Sequence, residues 1–457
     1  MIDDAWISFR YARNLAHGLG PVFHDGERVE GYTNFLWVVL AAPFAALGIP
    51  LEAAMPALGF ACAAATLVLA VSRARREDPG ERLAGLPTAL VLAISLGVPF
   101  HAVAGLETAL FALTLLIAEL ALTDRRPIPF ALATTLAFLT RPEAALLGLG
   151  GTLLLARRDR RDGARALALF ALLVTPYLAW KLWYFGELLP NTLRAKPPAI
   201  ASGLRYLVLE LGPFVGLVIA AIVRARSDGR ARVLVITSLA YCAVVPLEGG
   251  DWMPGGRMVV PHLAPLAIAA DPIVRAWLRP STGKLAIARA IGAAAILAIA
   301  PIEIARALEL ARGVQGRISV DATRRDLASY LESRSIESVA LLDIGLLGWR
   351  APSIRIVDLG GLIDPVIARQ PGAHGAKRAD LEELDRRRPD VVILTSGFDA
   401  EPREDGSTRV RARFVAEQHL EESAWLRERY AYVDTFEGSP AYRMHLFERR
   451  DTRPLSR

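Results

Sequence analysis

The chain has 457 residues, 53% of them hydrophobic, and a formal charge of +6; charged surface is normally larger in a soluble protein of this length. The basic excess does not point to nucleic acid, because the arginines fall in short clusters between apolar blocks, the arrangement that sets membrane topology. The two cysteines, Cys62 and Cys242, both lie in apolar blocks, which excludes a zinc site or a disulfide framework and leaves them as small core residues.

In chain order, Asp3 to Gly18 has the pattern of a short amphipathic helix at the membrane, acidic at its start and stopped by glycine. Asp3 or Asp4 alone reads equally as a helix cap; as an adjacent pair, one can cap while the other accepts a proton. Arg10 and Arg13, three apart, share a helical face suited to a phosphate or to lipid headgroups. Asp25-Gly26 between apolar residues signals a tight hairpin, which is expected to set Glu30 and Asn34 beside the acidic pair. The apolar stretch from Asn34 to Ile49 is interrupted by Pro43 and reads as a helix lying along the membrane surface.

A spanning helix needs roughly 17 to 25 apolar residues. Ten candidates follow, near 51–72, 83–101, 107–122, 128–140, 143–156, 163–183, 204–223, 231–247, 258–277 and 284–304. One alternate set of loops, from Arg73 through Lys284 to Arg289, holds nineteen Arg and Lys residues, and the other short loops hold five. The first set is therefore assigned to the cytoplasm. The N-terminal loop, segments 101–107, 140–143, 184–198 and 248–257, and everything after residue 311 then share the outer face. Beyond that point charged residues dominate, with helical patterns at 320–333 and 380–387 and strand patterns at 338–343, 355–359 and 390–394. The expected organisation is an outer loop with surface helices (1–50), a transmembrane helical domain (51–311) and a soluble α/β domain (312–457). The fold class is thus an α-helical multi-pass membrane protein with a C-terminal soluble α/β domain.

Several segments carry a resemblance. Asp3-Asp4-Ala5-Trp6-Ile7-Ser8-Phe9-Arg10-Tyr11-Ala12-Arg13-Asn14, then Glu30-Gly31-Tyr32-Thr33-Asn34-Phe35-Leu36-Trp37, resembles the first external loop of the mycobacterial terminal arabinofuranosyltransferases and their relatives. Gly105-Leu106-Glu107-Thr108, Arg141-Pro142-Glu143, the run from Tyr184 to Thr192, the run from Gly249 to Arg257, Asp343-Ile344-Gly345 and the run from Asp358 to Asp364 extend it over nearly the whole chain. The resemblance implies a GT-C fold, in which membrane helices carry an external active site and a polyprenyl-phosphate-linked sugar is the donor. It also implies a spanning helix before the acidic pair, so the sequence is expected to begin after such a helix, as in an N-terminally truncated gene model.

A sugar on a lipid phosphate already has a good leaving group, so the remaining work is to deprotonate the acceptor hydroxyl and stabilise the departing phosphate. The base is assigned to Asp3 or Asp4, with Glu30 as a second acidic partner. Phosphate contacts are assigned among Arg10, Arg13, Arg141, Arg194, Lys196 and Arg257. Glu107, Glu143 and Asp251 bind sugar hydroxyls or brace those arginines, Trp252 stacks on a sugar ring, and Asn34 and Asn191 complete the donor-binding set. As plain structure, Arg141 with Glu143 is equally a loop ion pair and Gly255-Gly256 a turn. Asp3, Asp4 and Glu30 alone would make a weak divalent-metal site, so no required cofactor or metal is expected. Asp343-Ile344-Gly345-Leu346-Leu347-Gly348 lacks the glycine spacing of a dinucleotide fingerprint; the soluble domain is expected to recognise an acceptor glycan or glycolipid, or to cover the cleft. The competing class is a transporter or lipid flippase; Glu119, Lys181, Glu248 and Glu303 near span ends and the lack of an inverted repeat favour the enzyme.

Overall fold

The computed structural model describes residues 1–280, 282, 285–334, 336–378 and 380–451; Lys284, the start of the tenth apolar block and residues 452–457 lie outside them. The helical part comprises α1 (Asp3–Ala16), α2 (Phe35–Ala46), α3 (Leu51–Glu77), α4 (Leu86–Ile94), α5 (Gly97–Val103), α6 (Thr108–Thr123), α7 (Pro127–Thr140), α8 (Ala145–Ala156) and α9 (Arg160–Phe185). It continues with α10 (Asn191–Ala195), α11 (Ile200–Leu211), α12 (Val215–Ala225), α13 (Gly229–Cys242), α14 (Val245–Glu248), α15 (Val260–Leu278), α16 (Ala286–Leu297), α17 (Ile299–Arg312) and α18 (Val314–Ser333).

Every predicted block is helical, and the blocks differ in length. Five helical runs among the described residues are long and apolar enough to cross a membrane: α3, α9, α11 with α12, α13 with α14, and the run from Ala286 to Ser333. A sixth arises if α4 and α5, bent by 61°, form one broken span. α6 and α7 have 16 and 14 residues and are only ~24 and ~21 Å long against a hydrocarbon layer of about 30 Å, yet α6 runs from Glu107, paired with Arg141 at one end of the bundle, to Asp124, paired with Arg73 at the other. α15 has 19 residues and is buried on nearly every side, so it forms the bundle's centre. α2, at 12 residues, is shorter than α6 and α7.

The two ends of the bundle differ in chemistry. At one end the arginine-rich loops meet acidic partners: Arg73 binds Asp124 at 2.8 Å and Arg275 binds Asp78 at 2.9 Å. Asp271 on α15 accepts from the Gly85 and Thr88 amides and so caps α4. At the other end, α5 lies against the 249–257 loop, so closely that a Cβ on Gly97 would sit 2.2 Å from the Gly255 carbonyl oxygen. The amide freed by the α4–α5 break, on Leu96, donates to Glu303 at 2.6 Å.

The C-terminal part contains β1 (Ser338–Leu341), α19 (Gly345–Arg350), β2 (Arg355–Asp358), α20 (Pro365–Ala368), α21 (Leu381–Arg387), β3 (Val391–Ser396), the two-residue strands β4 (Glu401–Pro402) and β5 (Thr408–Arg409), α22 (Val415–Glu422), α23 (Ala424–Arg429), β6 (Tyr430–Ser439) and β7 (Tyr442–Arg449). The main sheet runs β2-β1-β3-β7-β6. β1 is parallel to β2 and β3, and β7 is antiparallel to both β3 and β6. All six residues of β3 are buried, as expected of a strand covered on both faces. The three predicted strands and two helices are present, while the β6–β7 hairpin was not expected. α16, α17 and α18 form a nearly unbroken 48-residue run that carries the chain from the bundle into this sheet domain.

Candidate active site

α1 is not the surface helix its pattern suggested, because Ala5 to Ala12 are all buried. It is packed between α2 and α19, and its polar residues grip α19 at both ends. Asp3 accepts from the Gly345 and Leu346 amides, each at 3.0 Å, so it caps α19 and not its own helix. At the other end Arg10 donates to the Gly348 carbonyl and, at 3.1 Å, to the Pro352 carbonyl, while Arg13 donates to the Trp349 carbonyl at 3.0 Å. Arg10 also stacks on Phe23 and Arg13 on Trp349, each guanidinium 4.3 Å from the ring centre. Arg324 of α18 completes the clamp, 3.2 Å from Asp3 and 2.9 Å from Asp343. A side chain at Gly345 would meet the Asp3 backbone oxygen at 2.1 Å, which is why α1 can approach so closely. Arg10 and Arg13 are thus spent on backbone carbonyls, and the N-terminal segment is held by the sheet domain.

Other predicted residues are dispersed. Gly26 adopts the expected turn with φ of 78°, but no strands flank it and no hairpin forms. Glu30 therefore does not join the acidic pair; its carboxylate lies 2.7 Å from Lys181, in a pocket where burial, opposed by Lys181, lifts its pKa to about 7. Asn191 donates to the Gly361 and Leu362 carbonyls, a second tie to the sheet domain. Arg194 shares the half-buried Glu187 with Arg369. Trp252 is 65% exposed. In the matching C-terminal motif, Asp358 accepts from Gly360 and Ile363, and Asp364 caps α20 and pairs with Arg387, so both carboxylates are structural.

The remaining residues converge beneath the junction of bundle and sheet domain. Arg141 donates to Glu107 at 3.3 Å and to Glu143 at 2.7 Å. Glu107 also accepts from Asn34 at 2.9 Å, and Asn34 bonds in turn to Ser8 of α1. Arg257 lies 2.8 Å from Asp251 and also faces Arg141, Glu107 and Asp4. Glu248, which the sequence reading left out of the site, faces Glu143, Arg141 and Arg257. His101 of α5, also left out, faces Arg257, Asp251 and Glu107. Neither signal was available in sequence, since both depend on how the span ends meet.

Asp4 stands apart within this cluster. Its carboxylate makes no hydrogen bond or ion pair among the described residues, and it faces Lys196 and Arg257. Burial pushes its pKa up to about 6; Lys196 and Arg257 oppose that rise, and Asp251 and Asp3 add to it. Burial works against ionisation of Glu107 and Asp251, but Arg257 and Arg141 together with the hydrogen bonds each accepts, and Lys196 at Asp251, outweigh it, and both end below the usual carboxylate range. Lys196, like Asp4, has no bonded partner among the described residues and is only partly buried. The arrangement offers one carboxylate poised near neutrality, one free ammonium and two braced guanidinium groups. No group of three His, Cys, Asp or Glu side chains among the described residues is placed to hold a metal ion.

Fold and site define a class: a multi-pass α-helical membrane protein with an α/β domain docked on one end of its bundle over a buried charged cluster. Among known proteins, the chain is similar to a terminal beta-(1->2)-arabinofuranosyltransferase of Corynebacterium glutamicum, 29% identical over 338 residues, covering 60% of this chain and 49% of that protein. It is also similar to the protein of the same name from Mycobacterium tuberculosis, 32% identical over 220 residues, covering 43% of this chain and 35% of that protein. These similarities bear out the resemblance read from the motifs. The chain matches about half the length of the first relative and about a third of the second. Residues 312–452 match a family model described as a domain of unknown function (DUF8728).

Proposed function

We propose that the chain is a membrane glycosyltransferase that moves an arabinofuranosyl or similar pentofuranosyl group from a polyprenyl phosphate to a cell-envelope glycan or glycolipid. The reaction takes place on the extracytoplasmic face of the bacterial plasma membrane, where the sheet domain also lies. The names of the relatives support the reaction class, and the arginine-rich loops gathered at the opposite end of the bundle support the orientation.

The observation that carries the reading is Asp4, an unbonded carboxylate lifted to about 6 beside a free lysine. Asp4 takes the proton of the acceptor hydroxyl as its oxygen bonds to the anomeric carbon. The bond from that carbon to the phosphate oxygen breaks, and the phosphate leaves with the electron pair. Lys196 and Arg257 face the departing charge, while Glu107, Glu143 and Asp251 hold Arg141 and Arg257 in place. Membranes containing the protein should transfer label from a radiolabelled polyprenyl-phosphate arabinofuranose, and Asp4→Asn should not; wild-type rates in that variant would overturn the assignment.

A transporter or flippase is the second reading, favoured by the α4–α5 break. The ionisable groups beside that break pair with one another, since Arg306 bridges Glu303 and Glu210. That leaves none of the three unpaired for a transported ion.

A further inference from the structure

Seven arginines crowd the α6–α7 turn, the α8–α9 turn and the start of α9, at the end of the bundle where Arg73 meets Asp124. α7, α8 and α9 pack on one another, and closely near these turns. A Cβ on Gly151 would sit 2.3 Å from the Phe130 ring in the first turn of α7, and one on Gly163 would sit 2.4 Å from Ala156 at the end of α8. The aspartates among the arginines are already engaged. Asp124 is bound by Arg73 of α3 at 2.8 Å, Asp159 accepts the Arg161 amide and caps α9, and Asp162 pairs with Arg165. That leaves Arg125, Arg126, Arg157, Arg158, Arg160 and Arg161, all exposed, with no ion pair or side-chain hydrogen bond among the described residues.

Basic loops hold a helix end in the cytoplasm, but that rule places no demand on which face of a helix carries the charge. Here the charge heads the faces turned away from the bundle. On α8, Leu146, Leu149 and Leu153 are exposed at spacings of three and four, and Arg157 is the next position of that stripe. On α9, Gly163, Ala166, Phe170 and Val174 are buried toward the bundle, while Arg161, Arg165, Ala168 and Leu172 form an exposed stripe. α7 shows the same order, with exposed Ile128, Leu132 and Leu136 following Arg125 and Arg126.

We propose that this corner binds an anionic phospholipid with two phosphates, of the cardiolipin type, in the cytoplasmic leaflet. Each of the two turns presents its guanidinium groups to one phosphate. The exposed stripes of α7, α8 and α9 rise from those turns and meet the acyl chains. They select a lipid over a soluble phosphate, which would use the arginines alone. The leaflet rests on the orientation given under the functional reading; the binding does not depend on the reaction.

The test is native mass spectrometry of the full chain in detergent, offered tetraoleoyl cardiolipin, dioleoyl phosphatidylglycerol or dioleoyl phosphatidylethanolamine. Wild type is expected to retain cardiolipin best and phosphatidylethanolamine least. The double variants Arg125→Gln with Arg126→Gln and Arg157→Gln with Arg158→Gln should each cut cardiolipin retention roughly tenfold, the weight of two guanidinium groups near an anionic lipid. Arg75→Gln with Arg76→Gln, two exposed arginines of α3 at the same end, should leave it unchanged. No loss in either corner variant, equal losses in all three variants, or wild-type retention of cardiolipin no better than of phosphatidylglycerol overturns the proposal. The wild-type comparison stands whether or not every variant can be purified. Arg158→Cys should react with a membrane-impermeant maleimide in inverted vesicles and not in spheroplasts; the reverse overturns the leaflet. Transfer from a polyprenyl-phosphate sugar reports on the functional reading alone. Its absence from wild type sinks that reading and leaves the lipid site standing, whereas normal transfer with undiminished cardiolipin retention in both corner variants sinks the site alone.

Discussion

The Asp3 carboxylate accepts the Gly345 backbone N–H at 3.0 Å, across 342 positions of sequence, and this contact separates its role from that of Asp4. Asp3 loses two amide partners and Arg324 when neutralised, whereas Asp4 loses no bond. Asp3→Asn should therefore lower thermal stability, by ~1–3 kcal/mol for the hydrogen bonds left unmade, with transfer falling only as folded protein is lost. Asp4→Asn should leave the melting temperature equal or higher, since the folded state disfavours its charge, while transfer falls roughly 10²–10⁴-fold. Thermal unfolding in detergent together with single-turnover transfer distinguishes them; a destabilised but active Asp4→Asn would reverse the assignment.

The pH profile should report Asp4. A base acts only when ionised, so with a folded pKa of about 6 the transfer rate should fall as pH drops through about 6 and level off above it. Lys196 holds that value down, so Lys196→Gln should move the midpoint upward and raise KM for the phosphate-bearing donor. An unmoved midpoint would separate Lys196 from Asp4.

Arg10 and Arg13 were assigned to the phosphate from their spacing, and the structure gives them backbone carbonyls of the sheet domain. Arg10→Ala is predicted to loosen the junction, seen as faster proteolysis between the domains, with donor KM unchanged. A specific rise in KM would restore the phosphate assignment.

Glu107 links Asn34 to Arg141 in a buried network. Removing one partner of a buried pair leaves the other uncompensated, so Arg141→Ala should cost roughly 3–5 kcal/mol. Glu107→Gln, which keeps the shape, should cost less stability and still slow transfer. Comparing unfolding midpoints of the two variants checks the order.

His24 sits in the same junction. Its Nδ1 lies 3.3 Å from the Arg10 guanidinium, and its Nε2 lies 3.2 Å from both the N–H and the carbonyl oxygen of Ile356. Burial, with Arg10 adding to it, pushes its pKa down to about 3. Below its unfolded value of about 6.5 the unfolded chain binds a proton the folded one refuses. Junction stability should therefore fall as pH drops from 6.5 toward 3, and His24→Gln should flatten that slope in a pH series of melting temperatures.

The helical blocks were legible because apolar runs bounded by arginines and prolines leave little choice of structure. Their packing was less so, since α15 is as apolar as its neighbours yet lies at the centre of the bundle. The β6–β7 hairpin escaped notice because irregularities between Tyr432 and Asp434 and between Glu437 and Ser439 break the two-residue alternation. At the site, Arg141, Glu143, Lys196, Asp251 and Arg257 were named from their loops and do converge. Asp3, Arg10 and Arg13 were misplaced for one physical reason. Charged residues on one helix face look the same whether they meet lipid headgroups or the two ends of another helix, and α19 lies more than three hundred residues away.

The 48-residue run from Ala286 to Ser333 is ~72 Å long, more than twice the hydrocarbon thickness. It fixes the height of the sheet domain, and it also fixes its phase. Arg324 meets Asp3 only because it emerges from that helix at one angle, and each residue added below it would turn it by ~100°. Register along a single helix thus decides whether the N-terminal carboxylates find their places.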